Sequence, residues 1–483
     1  MFAGRATLDG SLRKAVLMKL FSTLANLFRS PVVIFPICWF GLATAHAQLQ
    51  NGTQQPNTEC RVEPVDYKGW HAQQLSNRWV QLVMVPQNGG RVIQVIFAGH
   101  PYLFVNPQLA GKYFPPTNGK WFNYGGDKIW LLPEGNDDEQ HWVGNSDILD
   151  DGPFTFRKLS EGKQCEIELT GPADPQTGIQ FVRTIRLDSD SPRIRFHVLM
   201  KNISGHTVNW SMQSVSQYNT SDPSSPNRLN RNFWSFAPAN PSSSYLNRYH
   251  VRFGPAENPA ASVRDDGLFT VHYVHMAAEL WLDSSDGWLA VVDGSSHYAM
   301  VERFEYETTK PYPGKASVIF WTNGPETRLS SDGVPSMSAD PDASPYYEEA
   351  ELNSPMCRLR PDESCVFETE WFPTRAGDEF HGVTDAGILI KPLQADWDHD
   401  KVKLSGSFGV FFAGRLIARF YDEHGSLLGT LPVAAAKPDE ALSIESEVVP
   451  PGKPSRMSLH LEDEQGLDRG SLNEVQIRPG EKH

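Results

Sequence analysis

The stretch from Gly89 to Phe154 opens as GGRVIQVIFAGHPYLFVNP (89–107), continues through NYGGDKIWLLPEGNDDEQHW (123–142) and closes on ILDDGPF (148–154). Its first part reads as a β-hairpin. Gly89-Gly90 opens it, Arg91 to Phe97 is a strand, Ala98-Gly99-His100-Pro101 turns the chain, and Tyr102 to Val105 runs back. The pattern then breaks into a long passage dense in Gly, Trp, Asn and Asp, without periodicity. Aromatic and charged side chains crowded into such a loop suit a binding site carried on a rigid scaffold.

The rest of the chain supplies that scaffold. Ile179, Phe181, Ile185 and Leu187 alternate with Gln180, Thr184 and Arg186, and Ile194, Phe196, Val198 and Met200 repeat the pattern. Thr207 to Gln217 continues it, with Val208, Trp210 and Met212 on one face and Asn209, Ser211 and Gln213 on the other. Alternation of this kind means antiparallel sheets with one face in a core. Ser221 to Asn258 is a Pro/Ser/Asn-rich connection, and strands resume at Leu268, Trp288, Tyr298, Ser317, Tyr346 and Val366. After Pro373-Thr374-Arg375-Ala376-Gly377 the composition shifts to six short strands, which suit a small sandwich. The fold class expected is all-β, with a large β-domain over 67–377 and a separate β-sandwich module over 380–483.

With 483 residues, the chain is too long for one ordinary core, and no basic cluster points to nucleic acid. Pro31 to Ala43 is a short apolar run preceded by five Lys and Arg and followed by Ala45-His46-Ala47. That is the pattern of a signal peptide over 1–47, cut before Gln48. The competing reading, a membrane anchor, fits poorly with so short a run containing Pro36. The protein is therefore expected to be periplasmic or secreted, without a membrane anchor after cleavage, and to begin with a flexible lead-in over 48–66. Loss of the leader takes the formal net charge from −15 to −19, which disfavours anionic polymers and membrane surfaces. Cys60, Cys165, Cys357 and Cys365 remain, and an exported chain permits either two disulfides or four buried thiols.

Three groups of residues carry possible chemistry. Glu349 and Glu351, two apart in a strand, point to the same face, and neighbouring carboxylates raise each other's pKa; a solvated strand face is the blander account. Trp121, Tyr124, Trp130 and Trp142 stand beside Asn123, Asp127 and Lys128, an arrangement suited to stacking and hydrogen-bonding a sugar, or to plugging a core with Trp130 and Trp142. Arg91 is placed to neutralise a carboxylate, and His275 is the candidate acid. The absence of C-x-x-C, of a P-loop and of G-x-G-x-x-G leaves no metal and no cofactor expected.

Taken in order, GGR (89–91), GGDKIW (125–130), DDGPF (150–154), Gly287-Trp288, YPG (312–314) and the E-x-E-x-x-S-P strand (349–355) resemble the galactose mutarotase-like family across roughly 67–375. The resemblance implies a β-supersandwich with a sugar site on the concave face of the larger sheet. It also implies aldose 1-epimerase chemistry, in which a Glu base, matching Glu349 or Glu351, deprotonates the anomeric hydroxyl while a His protonates the ring oxygen. Two readings follow: a carbohydrate-active enzyme of this kind, or a non-catalytic carbohydrate-binding envelope protein on the same scaffold.

Overall fold

From Ile179 to Asp188 every second side chain is buried, and Ile194–Asn202 repeats the pattern along its whole length. Paired antiparallel, with Ile185 opposite Phe196 and Leu187 opposite Ile194, the two strands give one continuous apolar face. Repeated along the chain, this pairing builds a ten-stranded and a twelve-stranded sheet, every named pair antiparallel. Their apolar faces meet in one core that includes Leu82, Val95, Leu131, Met212 and Leu352 from the larger sheet and Ile185, Val198, Val271 and Met300 from the smaller. The protein is an all-β supersandwich followed by a small β-sandwich. The computed structural model describes residues 59–116, 121–135, 141, 142, 144, 148–326 and 338–479. The expected signal peptide and the stretch from Gln48 to Thr58 lie outside the described residues.

A hairpin is present but tighter than expected: Arg91–Phe97 pairs with His100–Pro101 around Ala98 and Gly99, both at positive φ, while Leu103 and Val105 of the expected return strand bridge to Tyr218 and Gly125. Three larger expectations change. Asp127–Leu132, read as part of a loop, is a strand in the middle of the larger sheet, between Arg91–Phe97 and Val208–Asn219. All six of its residues are buried, so no alternation betrays it in the sequence. Arg61–Tyr67, assigned to the flexible lead-in, is the edge strand of that sheet. The long connection from Ser221 to Asn258 contains the strands Phe233–Pro238 and His250–Phe253. Among the described residues no helix is long and apolar enough to cross a membrane.

Both pairs of cysteines form disulfides, Cys60–Cys165 and Cys357–Cys365. Each joins the two large sheets. Cys60 precedes the edge strand Arg61–Tyr67 and Cys165 lies in Gln164–Thr170 of the ten-stranded sheet. Cys357–Leu359 pairs with Val208–Asn219 of the larger sheet, and Cys365 lies in Ser364–Arg375 of the smaller.

Residues 382–476 form two four-stranded sheets. The outermost strands, Gly382–Thr384 and Asp468–Gln476, go beyond the six read from the sequence. The apolar interior around Phe408, Leu416 and Leu459 is continuous with Phe236, Val292, Val301 and Phe372 on the outer side of the ten-stranded sheet.

Candidate functional site

Antiparallel register carries side chains of one face straight across neighbouring strands. On the central strand Tyr347–Asn353, Glu348 is turned toward Ser235 of the opposing sheet. Tyr347, Glu349, Glu351 and Asn353 therefore face outward, away from it. Glu349 is level with Trp321 and Glu279 on one side and with Gln217 on the other. Glu351 is level with Ile319 and Trp281 on one side and with Val215 and Lys128 on the other. Asn353, Gln213 and Trp130 make a third row. Val105, Leu109, Ala110, Phe114 and Phe122 pack against Trp70, Val83, Val85 and Ile93.

This face is a row of carboxylates, each held by a neutral N–H donor. Gln217 Nε2 donates to Glu349 Oε1 and Gln213 Nε2 to Glu351 Oε2, both at 2.5 Å. The Trp281 indole donates to Glu279 Oε1 at 2.6 Å, and Trp130 is hydrogen-bonded to Glu134. Glu349 lies beside Glu351 on this face and acts on it electrostatically. Burial first, then the neighbouring carboxylates, hold Glu351 well above the usual range. Burial likewise pushes Glu134 up to about 7 and raises Glu279.

Lys128 is the cation in the centre of this face. Its Nζ lies 3.5 Å from the centroid of the Trp130 ring and donates to Asp150 Oδ1 at 3.1 Å. The exposed Trp121 ring is 5.7 Å away. Burial lowers the lysine pKa, against the opposing pull of Asp150. Trp142, almost fully buried, packs edge-on against Trp130 at 4.7 Å and supports it from behind. Asn123 sits at the rim, hydrogen-bonded to Tyr347.

Three residues expected at the sugar face are placed otherwise. Asp127 points into the core between the sheets, fully buried and ion-paired with Arg183 of the opposing sheet. The strand pleat dictates this, because adjacent residues face opposite ways. Arg91 does not reach the glutamates. It is buried with Asp150 Oδ1 at 2.8 Å and Asp151 Oδ1 at 3.4 Å, which keep it charged in spite of burial. The GGR, GGDK and DDGPF motifs thus meet in one buried ion cluster behind Lys128. Their glycines permit the approach: a Cβ on Gly89 would stand 1.9 Å from Asp150 O, and one on Gly125 2.1 Å from Phe104 O, with φ positive at both. His275 is bonded to the Ser344 carbonyl at 2.8 Å and packs on Tyr346, outside the rows that hold Glu349 and Glu351.

Gln217, Glu134, Glu279, Trp281 and Trp321 were not singled out from the sequence. The alternation Ala278-Glu279-Leu280-Trp281-Leu282, with Glu and Trp on the partly exposed face, was the available signal. The cleft of about 500 Å³ on the ten-stranded sheet is a different feature, since Arg186–Glu166 and His197–Glu368 pair its charges with one another. Among the described residues no group of three or more His, Cys, Asp or Glu is arranged to hold a metal ion.

No protein-family model matches the chain, and no curated protein matches its sequence. Among solved structures it is similar to a TPR-domain-containing protein from Parabacteroides distasonis, with 15% identity over 65% of this chain and 48% of that one and a TM-score of 0.44. It is also similar to galactose mutarotase-like proteins from Clostridium acetobutylicum (11% identity, 66% of this chain and 100% of that one, TM-score 0.41) and Lactobacillus casei (9%, 62% and 99%, 0.41). The chain therefore spans about half the length of the first and nearly all of the other two.

Proposed function

We propose that the outward face of the twelve-stranded sheet binds a saccharide and that the protein is an exported carbohydrate-binding or carbohydrate-active protein. One observation carries this reading: four carboxylates, each oriented by an N–H donor, alternate on one face with the rings of Trp281 and Trp321. Indole faces stack on the C–H face of a pyranose while fixed acceptors take its hydroxyls. A single neutral hydrogen bond contributes only about 1 kcal/mol net, so several acceptors must converge for useful affinity. Export is supported by the charged, apolar and small-residue order of the first 47 residues and by two disulfides in a chain large enough not to need them.

The neighbouring carboxyl groups of Glu349 and Glu351 favour catalysis as a second reading. Anomer exchange needs one proton removed from the anomeric hydroxyl and one delivered to the ring oxygen. A carboxylate pair holding a single proton supplies both, with Glu349 as base and Glu351 as acid; the C1–O5 bond breaks, C1 turns, and closure returns both protons. His275 is not placed for this step, so the acid falls to Glu351. Calorimetric titration with a panel of mono- and oligosaccharides, paired with anomer exchange followed by NMR, tests both readings. Binding without accelerated exchange leaves a binding protein. Acceleration that is lost in Glu349→Gln identifies an epimerase. No binding by any sugar removes the proposal altogether.

A further inference from the structure

The charge on this face is one-sided. Among the described residues Glu134, Glu279, Glu349 and Glu351 act on one another electrostatically. Two cations stand beside these four carboxylates: Lys128, bonded to Asp150, also acts on Glu134 and Glu349, and Arg252, 5.8 Å from the centroid of the Trp281 ring, acts on Glu279. Every donor that holds a carboxylate here is neutral, an indole or an amide. A second feature points the same way. The fully buried Gln217 donates its amide to Glu349, yet its Oε1, on the same outward face, has no partner. An acceptor left without a donor beside partly desolvated carboxylates costs free energy until something that donates arrives.

A neutral hexose would satisfy the acceptors but not the charge. An ammonium satisfies both: it donates three hydrogen bonds, carries the missing positive charge and is attracted to an indole face. Trp321 stands between Glu279 and Glu349 in the same row, so a ring stacked on it presents its substituents to both carboxylates. Resting on the saccharide reading above, we propose that the ligand is an amino sugar, a saccharide bearing a free protonated amine, with the amine held between Glu279 and Glu349 over Trp321. A bare divalent ion is a poorer occupant, since the described carboxylates do not converge in a metal-binding group.

The test is calorimetric titration of the full chain at neutral pH with glucosamine, glucose and N-acetylglucosamine, and with short oligomers of each. The expected result is tighter binding of the free amine by about tenfold or more over the neutral and N-acetylated forms, as for a charge-assisted contact. In Glu279→Gln that ratio falls toward one. Wild type supplies a second readout, independent of how the variant folds. The preference for the amine over glucose should shrink as sodium chloride is raised, because an ion pair is screened and a neutral hydrogen bond is not. Equal or tighter binding of glucose, with no salt dependence of the amine's binding, overturns the amino-sugar proposal and leaves the saccharide reading intact. Binding of none of the three families overturns both.

Discussion

Asp127 and Lys128 are adjacent in the chain and belong to opposite sides of the twelve-stranded sheet. Asp127 is ion-paired with Arg183 inside the sandwich and also accepts from Ser214 Oγ at 3.3 Å, whereas Lys128 lies on Trp130 and donates to Asp150 on the outward face. The two charges therefore do different work. Removing one partner of a buried pair leaves the other unpaired at a cost of about 3–5 kcal/mol. Asp127→Ala should lower unfolding stability by that order in urea, through Arg183, while saccharide affinity of the folded fraction changes little. A variant of normal stability that has lost binding would place Asp127 in the site after all.

Glu348 gives a prediction with a defined sign. It is fully buried between the sheets, neither carboxyl oxygen has a hydrogen-bond partner in standard geometry, and burial pushes its pKa up to about 8. The folded state thus keeps a proton that the unfolded chain gives up near its ordinary value of about 4.5. Stability must fall as pH rises from there to about 8, then level off. Glu348→Met removes the titration. Its stability advantage over wild type should grow across that window by an amount on the order of a few kcal/mol. Chemical denaturation at pH 5 and pH 9 measures it; an advantage that is the same at both values would contradict the protonated, buried acid.

How much of this was legible depends on how many faces of each strand are buried. Ile179–Asp188 has one face in the core and one half-open, so its period is written plainly in the sequence. Asp127–Leu132 is buried on both faces and carries two charges whose partners, Arg183 and Asp150, lie 56 and 22 residues away. Nothing local distinguishes such a segment from a loop. Glu349 and Glu351 were readable as a same-face pair from spacing alone, and the structure adds Gln217 and Gln213 as the donors that hold them. Arg91 was found as a site residue for its charge, but only the fold reveals that Asp150 and Asp151 already occupy it. Glu134 and Glu279 join the carboxylate row through strand order, which no spacing encodes.

The two disulfides should differ in their effect. Cys60–Cys165 closes a loop of 105 residues and Cys357–Cys365 one of 8. Chain-entropy arguments give about 4.7 kcal/mol for a loop near the first length and roughly 2.5 for the second. The paired substitution Cys60→Ser and Cys165→Ser should therefore destabilise more than Cys357→Ser with Cys365→Ser, in matched urea melts. Equal losses would mean that the long loop is already held in the unfolded chain. Free thiols found by mass spectrometry in exported material would remove the bridges themselves.

The last prediction concerns residues 380–483, expected from composition to fold as a separate module. Phe372, at the end of the large domain, lies 4.6 Å from Phe411 and 6.1 Å from Phe412, ring centre to ring centre. Thr374 Oγ1 donates to the Val410 carbonyl at 2.9 Å, and Arg264 Nη1 to the Phe380 carbonyl at 2.7 Å. Phe236, Val292 and Val301 belong to the same apolar cluster as Phe408 and Leu416. Proteolysis near Arg375 to Glu379 should accordingly give two fragments that remain associated on gel filtration, because separation would expose this shared surface to water. Phe372→Ala, which removes the central ring at a cost of about 3–5 kcal/mol, should release them. Fragments that part in wild type yet stay folded would show the module to be independent and merely adjacent; fragments that unfold on cleavage would show that the connection itself is part of the core.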